Sequence, residues 1–467
     1  MSPEFRDDPL ALARLVEGNW ERLPPQRWRL DWSAPLGSLN KRSVRKAGSG
    51  ILYTRVPHQV QAQLELAAKH PEKWALITPD AANIPRSTEF GVLRVPDLGA
   101  ARDKMAMASR QHYPGKVVAV TGSVGKTTVR RMLDTTLRAH HSVHTSRRID
   151  NGFRALRDQL LSLSDRDFAT LEIARIALPG GEDLARPDVA VIGALAEAHM
   201  EDLGSVKDIA RIKAQLLKGV PKAGTGVINI DSPHVAEVLQ IAEQQGISTI
   251  TYGQHAEADI QLVNYDPKSA ACQVQAFDRE IRYQISAPGR HNAVNSLAVL
   301  GVLIALKLPV ATYLEALSSF TPVRGRGMTH QVSVDDKSVT VVDESYNANP
   351  TSMRAALQGF GDNYPDLRKL LVLGDMLELG PASPEFHAGL APDVLSLSPA
   401  FVVLVGPQMR ELYEALPDTQ PALHIDDASQ LGTSLMDQLQ DEDAVFVKAS
   451  LGTKLRGVVE GLVNHSK

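Results

Sequence analysis

Residues 117–128 constrain what this chain can fold into more than any other stretch. Val117, Val118, Ala119 and Val120 make a short apolar, mostly β-branched run that suits a strand buried on both faces. Thr121, Gly122, Ser123, Val124 and Gly125 then form a turn whose two glycines free the backbone to present its amides. Lys126, Thr127 and Thr128 follow, and residues 129–137 can continue as a helix whose N-terminal dipole faces the same turn. Such a strand–turn–helix attracts negative charge. Lys126 is placed to reach bridging and terminal phosphate oxygens, and the Thr127 hydroxyl to meet Mg²⁺. The spacing of residues 122–128 departs from the commonest phosphate loop, which leaves a different nucleotide fold open.

A chain of 467 residues exceeds one growing core, so two to four domains are expected. With 54 acidic against 50 basic side chains, the net charge of −4 argues against general binding of nucleic acid. The basic patch of Lys41, Arg42, Arg45 and Lys46 is local and reads as a solvated loop. Cys272 is the one cysteine, which excludes an intrachain disulfide and a thiolate metal cluster. The N-terminal residues lack the order of a secretory signal, and no apolar run is long enough to span a bilayer. A cytoplasmic protein without membrane insertion is expected, its oligomeric state open.

Three regions differ in texture. Residues 1–112 hold all four tryptophans, with strands expected at 50–53 and 74–77 and a helix over 59–68. Trp20, Trp28 and Trp32 near the start read as the filling of a small core. Residues 113–324 alternate strands (168–171, 188–193, 226–230, 249–253) with helical periods, notably 205–217, the pattern of a largely parallel sheet. Residues 260–285 read as a small antiparallel extension. From residue 325 onward, strands at 339–342, 369–374, 401–406 and 444–447 alternate with helices again. Two such α/β domains in series place chemistry at their cleft.

Glu172 ends an expected strand, and His199 follows the strand ending at Gly193. Thr127, Glu172 and His199 together offer two oxygens and a nitrogen to Mg²⁺. Alone, Glu172 reads as a solvated strand end and His199 as a structural cap. Lys213 reads by default as a surface lysine, although an amine near a cleft could take up carbon dioxide as a carbamate and lend oxygens to a metal. Asp343, Glu344, Tyr346, Asn347 and Asn349 follow the 339–342 strand. Asn349 or Thr351 can cap the next helix, with Pro350 in its first turn; the rest of the cluster suits ligand contact. Asp375 lies in the similar segment 374–380.

At this point the sequence resembles the ATP-dependent Mur ligase family, most of all its UDP-N-acetylmuramoyl-tripeptide–D-alanyl-D-alanine ligase branch. Thr121 to Thr128 match the family phosphate loop. Residues 198–205 with Ile209, Ala210 and Lys213 look like its magnesium and modified-lysine segment. Gly289, His291, Asn292 and Asn295 resemble its nucleotide-contacting Gly-x-His-Asn-x-x-Asn element. Residues 322–326, 346–350 and 373–380 resemble the interdomain junction and two hallmarks of the branch. The resemblance covers residues 115–467. It implies a three-domain α/β architecture: a divergent substrate domain over 1–112, a central P-loop ATPase-type domain over 113–324, and a C-terminal Rossmann-like α/β domain over 325–467 binding the amine substrate.

It also implies chemistry. A small-molecule carboxylate acceptor takes the γ-phosphate of ATP to give an acyl phosphate, which an amino acid or dipeptide amine then converts to an amide. By that resemblance Gly122, Ser123, Val124, Gly125, Lys126, Thr127, Thr128, Asn292, Asn295, Arg326 and Asp343 contact the nucleotide. Thr127, Glu172, His199 and a carbamylated Lys213 serve Mg²⁺, with Lys126, His199 and Lys213 as the catalytic set. Tyr346, Asn347, Asn349 and Asp375 are the candidate contacts for the amine. Residues 1–112 carry no motif of the family's UDP-binding domain, and the segments 145–153 and 172–175 depart from the branch pattern. The alternatives are a paralogue joining another carboxylate to an amino acid or small amine, and an inactive nucleotide-binding regulator.

Overall fold

The computed structural model describes residues 4–465 apart from 26–27, 32, 36–49, 55–60, 80–83, 85–89, 146–151, 175–179, 198–200, 202–203 and 432–433. His199, Trp32 and the basic patch at 41–46 lie outside the described residues.

Three sheets carry the fold. The first holds β1 (Asn19–Arg22), β2 (Ser33–Pro35), β3 (Gly50–Tyr53), β4 (Trp74–Pro79) and β5 (Gly91–Val95) in the order β1-β5-β4-β3-β2. The second holds β6 (Lys116–Thr121), β7 (Val143–Thr145), β8 (Phe168–Glu172), β9 (Val189–Ile192), β10 (Thr225–Asn229), β11 (Ser248–Gly253), β12 (Ile260–Asp266), β13 (Ala271–Ala276) and β14 (Arg279–Gln284). Their order is β14-β13-β12-β11-β10-β9-β6-β8-β7. The third holds β15 (Met328–Val334), β16 (Lys337–Glu344), β17 (Lys369–Gly374), β18 (Phe401–Val405), β19 (Ala422–Ile425) and β20 (Asp443–Lys448), ordered β15-β16-β20-β17-β18-β19.

The chain forms two compact units. One comprises Met1–Ala119, His140–Ala190 and Gln215–Gly224. Within it, the helices Leu98–Gln111 and Phe153–Leu161 are tied by charge: Arg102 donates to Asp158 at 2.8 Å and stacks 3.6 Å from the centre of the Tyr53 ring. The Tyr53 hydroxyl donates to the same carboxylate at 2.9 Å, and buried Arg6 donates to the Leu161 carbonyl at 2.8 Å. Trp20 and Trp28 meet edge to face at 6.2 Å, with Trp28 inside the apolar core, so these two rings fill a small core as expected. The helix begins at Gln61, with Leu64 and Ala67 turned inward.

The other unit comprises Val120–Ala139, Val191–Ala214 and Thr225–Lys467. Its strands β10, β11 and β12 pair in parallel, whereas β12, β13 and β14 are antiparallel, the extension expected from the alternating run. Cys272 is buried on β13, and burial pushes its thiol pKa up to about 12. In the third sheet β16, β20, β17, β18 and β19 run parallel and β15 adds an antiparallel edge. Helices cover both faces through two separate cores, one around Leu371, Leu404 and Phe446 and one around Val372, Val403 and Val445. Successive residues of each strand alternate between them, which is why these strands read as unbroken apolar runs. The helix over 205–217 is shorter than expected: it spans Val206–Ala214 and tightens to a 3₁₀ turn at Gln215–Gly219. Among the described residues no helix is long and apolar enough to cross a membrane.

Candidate active site

The turn after β6 leads directly into the helix Lys126–Arg138. Gly125 is its N-cap residue with φ +78°, no side chain caps that end, and a Cβ there would stand 2.5 Å from Asn295 Oδ1. A residue other than glycine would be strained and would push Asn295 away. Ala194, just past β9, accepts hydrogen bonds from the Ser123 and Val124 amides at 2.8 and 3.3 Å and so fixes the turn from below. Lys126 Nζ donates to the Gly122 and Ser123 carbonyls at 2.8 and 3.1 Å, folded over the loop it follows. Thr127 is buried, 4 % exposed, in the first turn, and Thr128 follows it. The Ser123 hydroxyl is buried without a hydrogen-bond partner among the described residues. A cradle closed to a Cβ, an uncapped helix start and an orphaned hydroxyl together fit an anionic ligand.

Two default readings of lone residues fail. Glu172, at the end of β8, is 6 % exposed rather than solvated. Lys213 is 3 % exposed in the last turn of its helix rather than at the surface. Among the described residues, no group of three or more His, Cys, Asp or Glu is placed to hold a metal ion.

The helix Arg290–Ala305 brings Asn292 and Asn295 to the same unit as the phosphate loop. Asn292 donates to the Pro288 carbonyl at 3.1 Å, and Asn295 is the neighbour that excludes a Cβ from Gly125. Arg326 stacks 4.0 Å over the Tyr346 ring, a cation–π contact that orients its guanidinium. Asp343 is fully buried at the end of β16. It accepts from the Gly325 amide at 2.8 Å and from the Ser345 amide at 3.1 Å and hydroxyl at 2.5 Å. Its carboxylate thus pins the glycine turn that carries Arg326.

The amine candidates divide. Asn349 is the N-cap of the helix Pro350–Asn363, in a reciprocal capping box with Ser352. Asp375 is buried and accepts from the Met409 amide at 2.9 Å, where a Cβ on Gly406 would collide with it. Burial raises its carboxyl pKa above the ordinary value, against the pull of the backbone hydrogen bonds. Both residues build the C-terminal domain; of the other two, Asn347 is exposed and Tyr346 is half-buried beneath Arg326. The cap at Asn349 is the one expected from the sequence, whereas the Asp375 partner at Met409 lies 34 residues on, at a turn that composition does not mark.

Sequence reasoning also missed Lys448, at the end of β20. It is buried, donates to the Asn347 carbonyl at 2.9 Å and pairs with Glu344, its register partner on β16, at 3.5 Å. Burial lowers its pKa, with Glu344 pulling the other way. A charged residue closing a buried apolar strand was the available signal. His291, noticed in the sequence only as part of the 289–295 element, has its Nδ1 buried without a hydrogen-bond partner among the described residues; burial lowers its pKa, opposed by Glu344 and reinforced by Lys448.

His387 supplies a test by acidity. Its Nε2 accepts the Met376 amide at 3.0 Å while Nδ1 faces the Ser383 carbonyl at 2.7 Å, so the neutral ring fits and a doubly protonated one does not. Burial lowers its pKa below 6.5, countered by the Ser383 carbonyl and by Asp375 and Glu411. Between the folded and unfolded pKa the unfolded chain binds the extra proton. Stability is therefore full above pH 6.5 and declines as pH falls below it. Melting temperature against pH should show this slope, and His387→Asn should flatten it; an unchanged slope would assign the loss elsewhere.

With this geometry in place, comparison with known proteins narrows the family. The profile of the Mur ligase middle domain matches residues 120–303, and that of the Mur ligase glutamate ligase domain matches residues 329–451. The UDP-N-acetylmuramoyl-tripeptide–D-alanyl-D-alanine ligase of Synechocystis sp. is 31 % identical over 377 residues, 79 % of this chain and 79 % of its own. The chain belongs to the Mur ligase family. Among solved structures, MurF from Acinetobacter baumannii resembles this Mur ligase with a TM-score of 0.82 at 22 % identity, covering 97 % of this chain and 98 % of that one. MurF from Thermotoga maritima in complex with ADP gives 0.75 at 22 % identity, covering 91 % and 96 %. The expected three-domain α/β architecture is that of this family. The N-terminal sheet belongs to the shared fold too, although residues 1–112 carry none of the sequence motifs sought there. Members of the family are ATP-dependent ligases.

Proposed function

We propose that this Mur ligase joins D-alanyl-D-alanine to the tripeptide carboxylate of UDP-N-acetylmuramoyl-tripeptide at the expense of ATP. The observation that carries the reading is the Synechocystis relative, 31 % identical over 377 residues, 79 % of this chain and more than the two matched domains together. Residues 1–112 are assigned to the UDP-sugar peptide, 113–324 to ATP and 325–467 to the dipeptide.

The roles follow from the groups present. The amides of residues 122–128 and the Lys126 ammonium receive the β- and γ-phosphates and counter the charge that grows on the transferred phosphoryl group. Lys126 must first leave the Gly122 and Ser123 carbonyls, which its flexible stem permits. Asn292 and Asn295 face the base, and Arg326, held by Tyr346 and by the Asp343-pinned turn, faces the phosphates or ribose. The Thr127 hydroxyl and the Glu172 carboxylate are hard oxygen donors suited to Mg²⁺, with His199 as a further ligand. Bound Mg²⁺ supplies charge neutralisation among the phosphates. The acceptor carboxylate attacks the γ-phosphorus and expels ADP; the dipeptide amine then attacks the acyl phosphate, loses a proton and expels phosphate. Tyr346 and Asn347 are assigned to that amine, with Asn349 capping the helix that follows them and Asp375 holding the separate turn at Gly406 and Met409.

The experiment is phosphate release with Mg·ATP, omitting one reactant at a time. Release should require both the UDP-muramoyl-tripeptide and D-alanyl-D-alanine, with the ligated product seen by mass spectrometry. Release without the amine, or no product with both, overturns the reading.

Lys213 is proposed to carry a carbamate, formed as its amine takes up CO₂ and loses a proton. Lys213→Ala should then lower kcat on the order of 10²-fold, the usual scale for losing a metal's supporting group. Unchanged turnover would dismiss the modification.

A further inference from the structure

We infer that the hydrogen bond from Thr351 to Glu197 is a positioning contact for amide formation, seating the helix Pro350–Asn363 on the segment that fixes the phosphate loop. The inference rests on the function proposed above. Thr351 Oγ1 donates to Glu197 Oε2 at 2.7 Å, across 154 residues of sequence.

Each end of this bond is held. Thr351 is the second residue of a helix begun by Pro350 and closed by the Asn349–Ser352 capping box, so its side chain leaves a fixed backbone. A carboxylate beside that first turn also meets the positive end of the helix dipole. On the other side, Glu197 belongs to residues 194–197. The Ala194 carbonyl takes the Ser123 and Val124 amides, and the Leu195 amide is held at 3.0 Å by Ser232, which donates to Asn229 at 3.0 Å. Glu197 thus grips the C-terminal helix three positions after Ala194, the residue that holds the phosphate turn.

The same helix touches the central domain a second time. A Cβ on Gly359 would lie 3.6 Å from His291 Nδ1 and 3.7 Å from the Gly289 Cα, so the backbone there rests against the start of the Arg290 helix. A third contact joins the Glu201 amide to the Glu378 carbonyl at 3.4 Å, beside Gly380. Of these three contacts, the Thr351–Glu197 bond is the one made between two side chains, and so the one that substitution can remove without disturbing backbone. Its loss should loosen the domain that presents the amine while leaving nucleotide binding intact.

The test uses the full chain and four variants: Thr351→Val, Glu197→Ala, both together, and Glu197→Gln, which keeps an acceptor oxygen. Initial rates are measured with saturating Mg·ATP and UDP-muramoyl-tripeptide and varied D-alanyl-D-alanine. Thr351→Val and Glu197→Ala should each raise KM for the dipeptide roughly tenfold, about 1.4 kcal/mol, with kcat and KM for ATP within about twofold. The double variant should be no worse than either single one, and Glu197→Gln should lie near the parent. Effects that multiply in the double variant, an unchanged dipeptide KM, or Glu197→Gln behaving as Glu197→Ala would overturn the inference. Hydrogen exchange keeps this separate from the ligase reading. If the parent forms no amide, the function falls, yet Glu197→Ala should still hasten exchange in residues 353–360; unaltered exchange there removes the contact.

Discussion

Replacing Lys126 by alanine is expected to cut ADP formation about 10²–10³-fold, the scale of losing one preorganised donor to developing charge, roughly 3–4 kcal/mol. Folding should survive. The ammonium donates to two carbonyls of its own loop, at 2.8 and 3.1 Å, and Lys126 is half-buried rather than part of the apolar core. The check is paired: ADP release with all reactants present, and a thermal melt of the same preparation. A melt lowered as steeply as the activity would make Lys126 a structural residue. Full activity would remove the phosphate loop from the chemistry altogether.

The second large effect is on stability. Lys448→Ala leaves Glu344, whose side chain is 15 % exposed, without its cation and the Asn347 carbonyl without its donor. Removing one partner of a buried ion pair costs about 3–5 kcal/mol, a large part of a domain's net stability. Urea unfolding should show a lower midpoint with an unchanged slope. Replacing the pair together, Glu344→Leu with Lys448→Met, should recover most of the loss, since well-packed apolar groups avoid the desolvation penalty. A single variant as stable as the parent would mean that water reaches the pair freely. Because Lys448 also holds the Asn347 carbonyl, the recovered double variant should still bind the dipeptide poorly.

Much of the α/β alternation was legible because the inner strands of the second and third sheets, such as β8, β9, β17 and β20, are buried on both faces, so periodicity reduces to apolar runs bounded by turns. The phosphate loop was legible for a similar reason: two glycines, a lysine and two threonines between a strand and a helix leave few other conformations. The edges were less visible. Strand β15, with exposed Thr329 and Gln331, and β19, half-buried throughout, carry too little apolar contrast to announce themselves. Buried charge was the least visible of all. Lys213 and Lys448 carry the same side chain as any surface lysine, and only tertiary packing distinguishes them. Asn349 was legible as the cap of the next helix, three residues from its partner Ser352. Asp343 and Asp375 drew notice as polar residues at strand ends; the turns they hold, at Gly325 and Met409, were not readable.

The burial of Cys272 on β13 has a practical consequence for labelling the chain. A thiol held protonated until about pH 12 stays silent towards maleimide at neutral pH. The natural sequence therefore already serves as the unreactive background that fluorophore labelling demands. Two surface cysteines introduced in separate domains would give a dye pair for energy transfer, without first deleting a native residue.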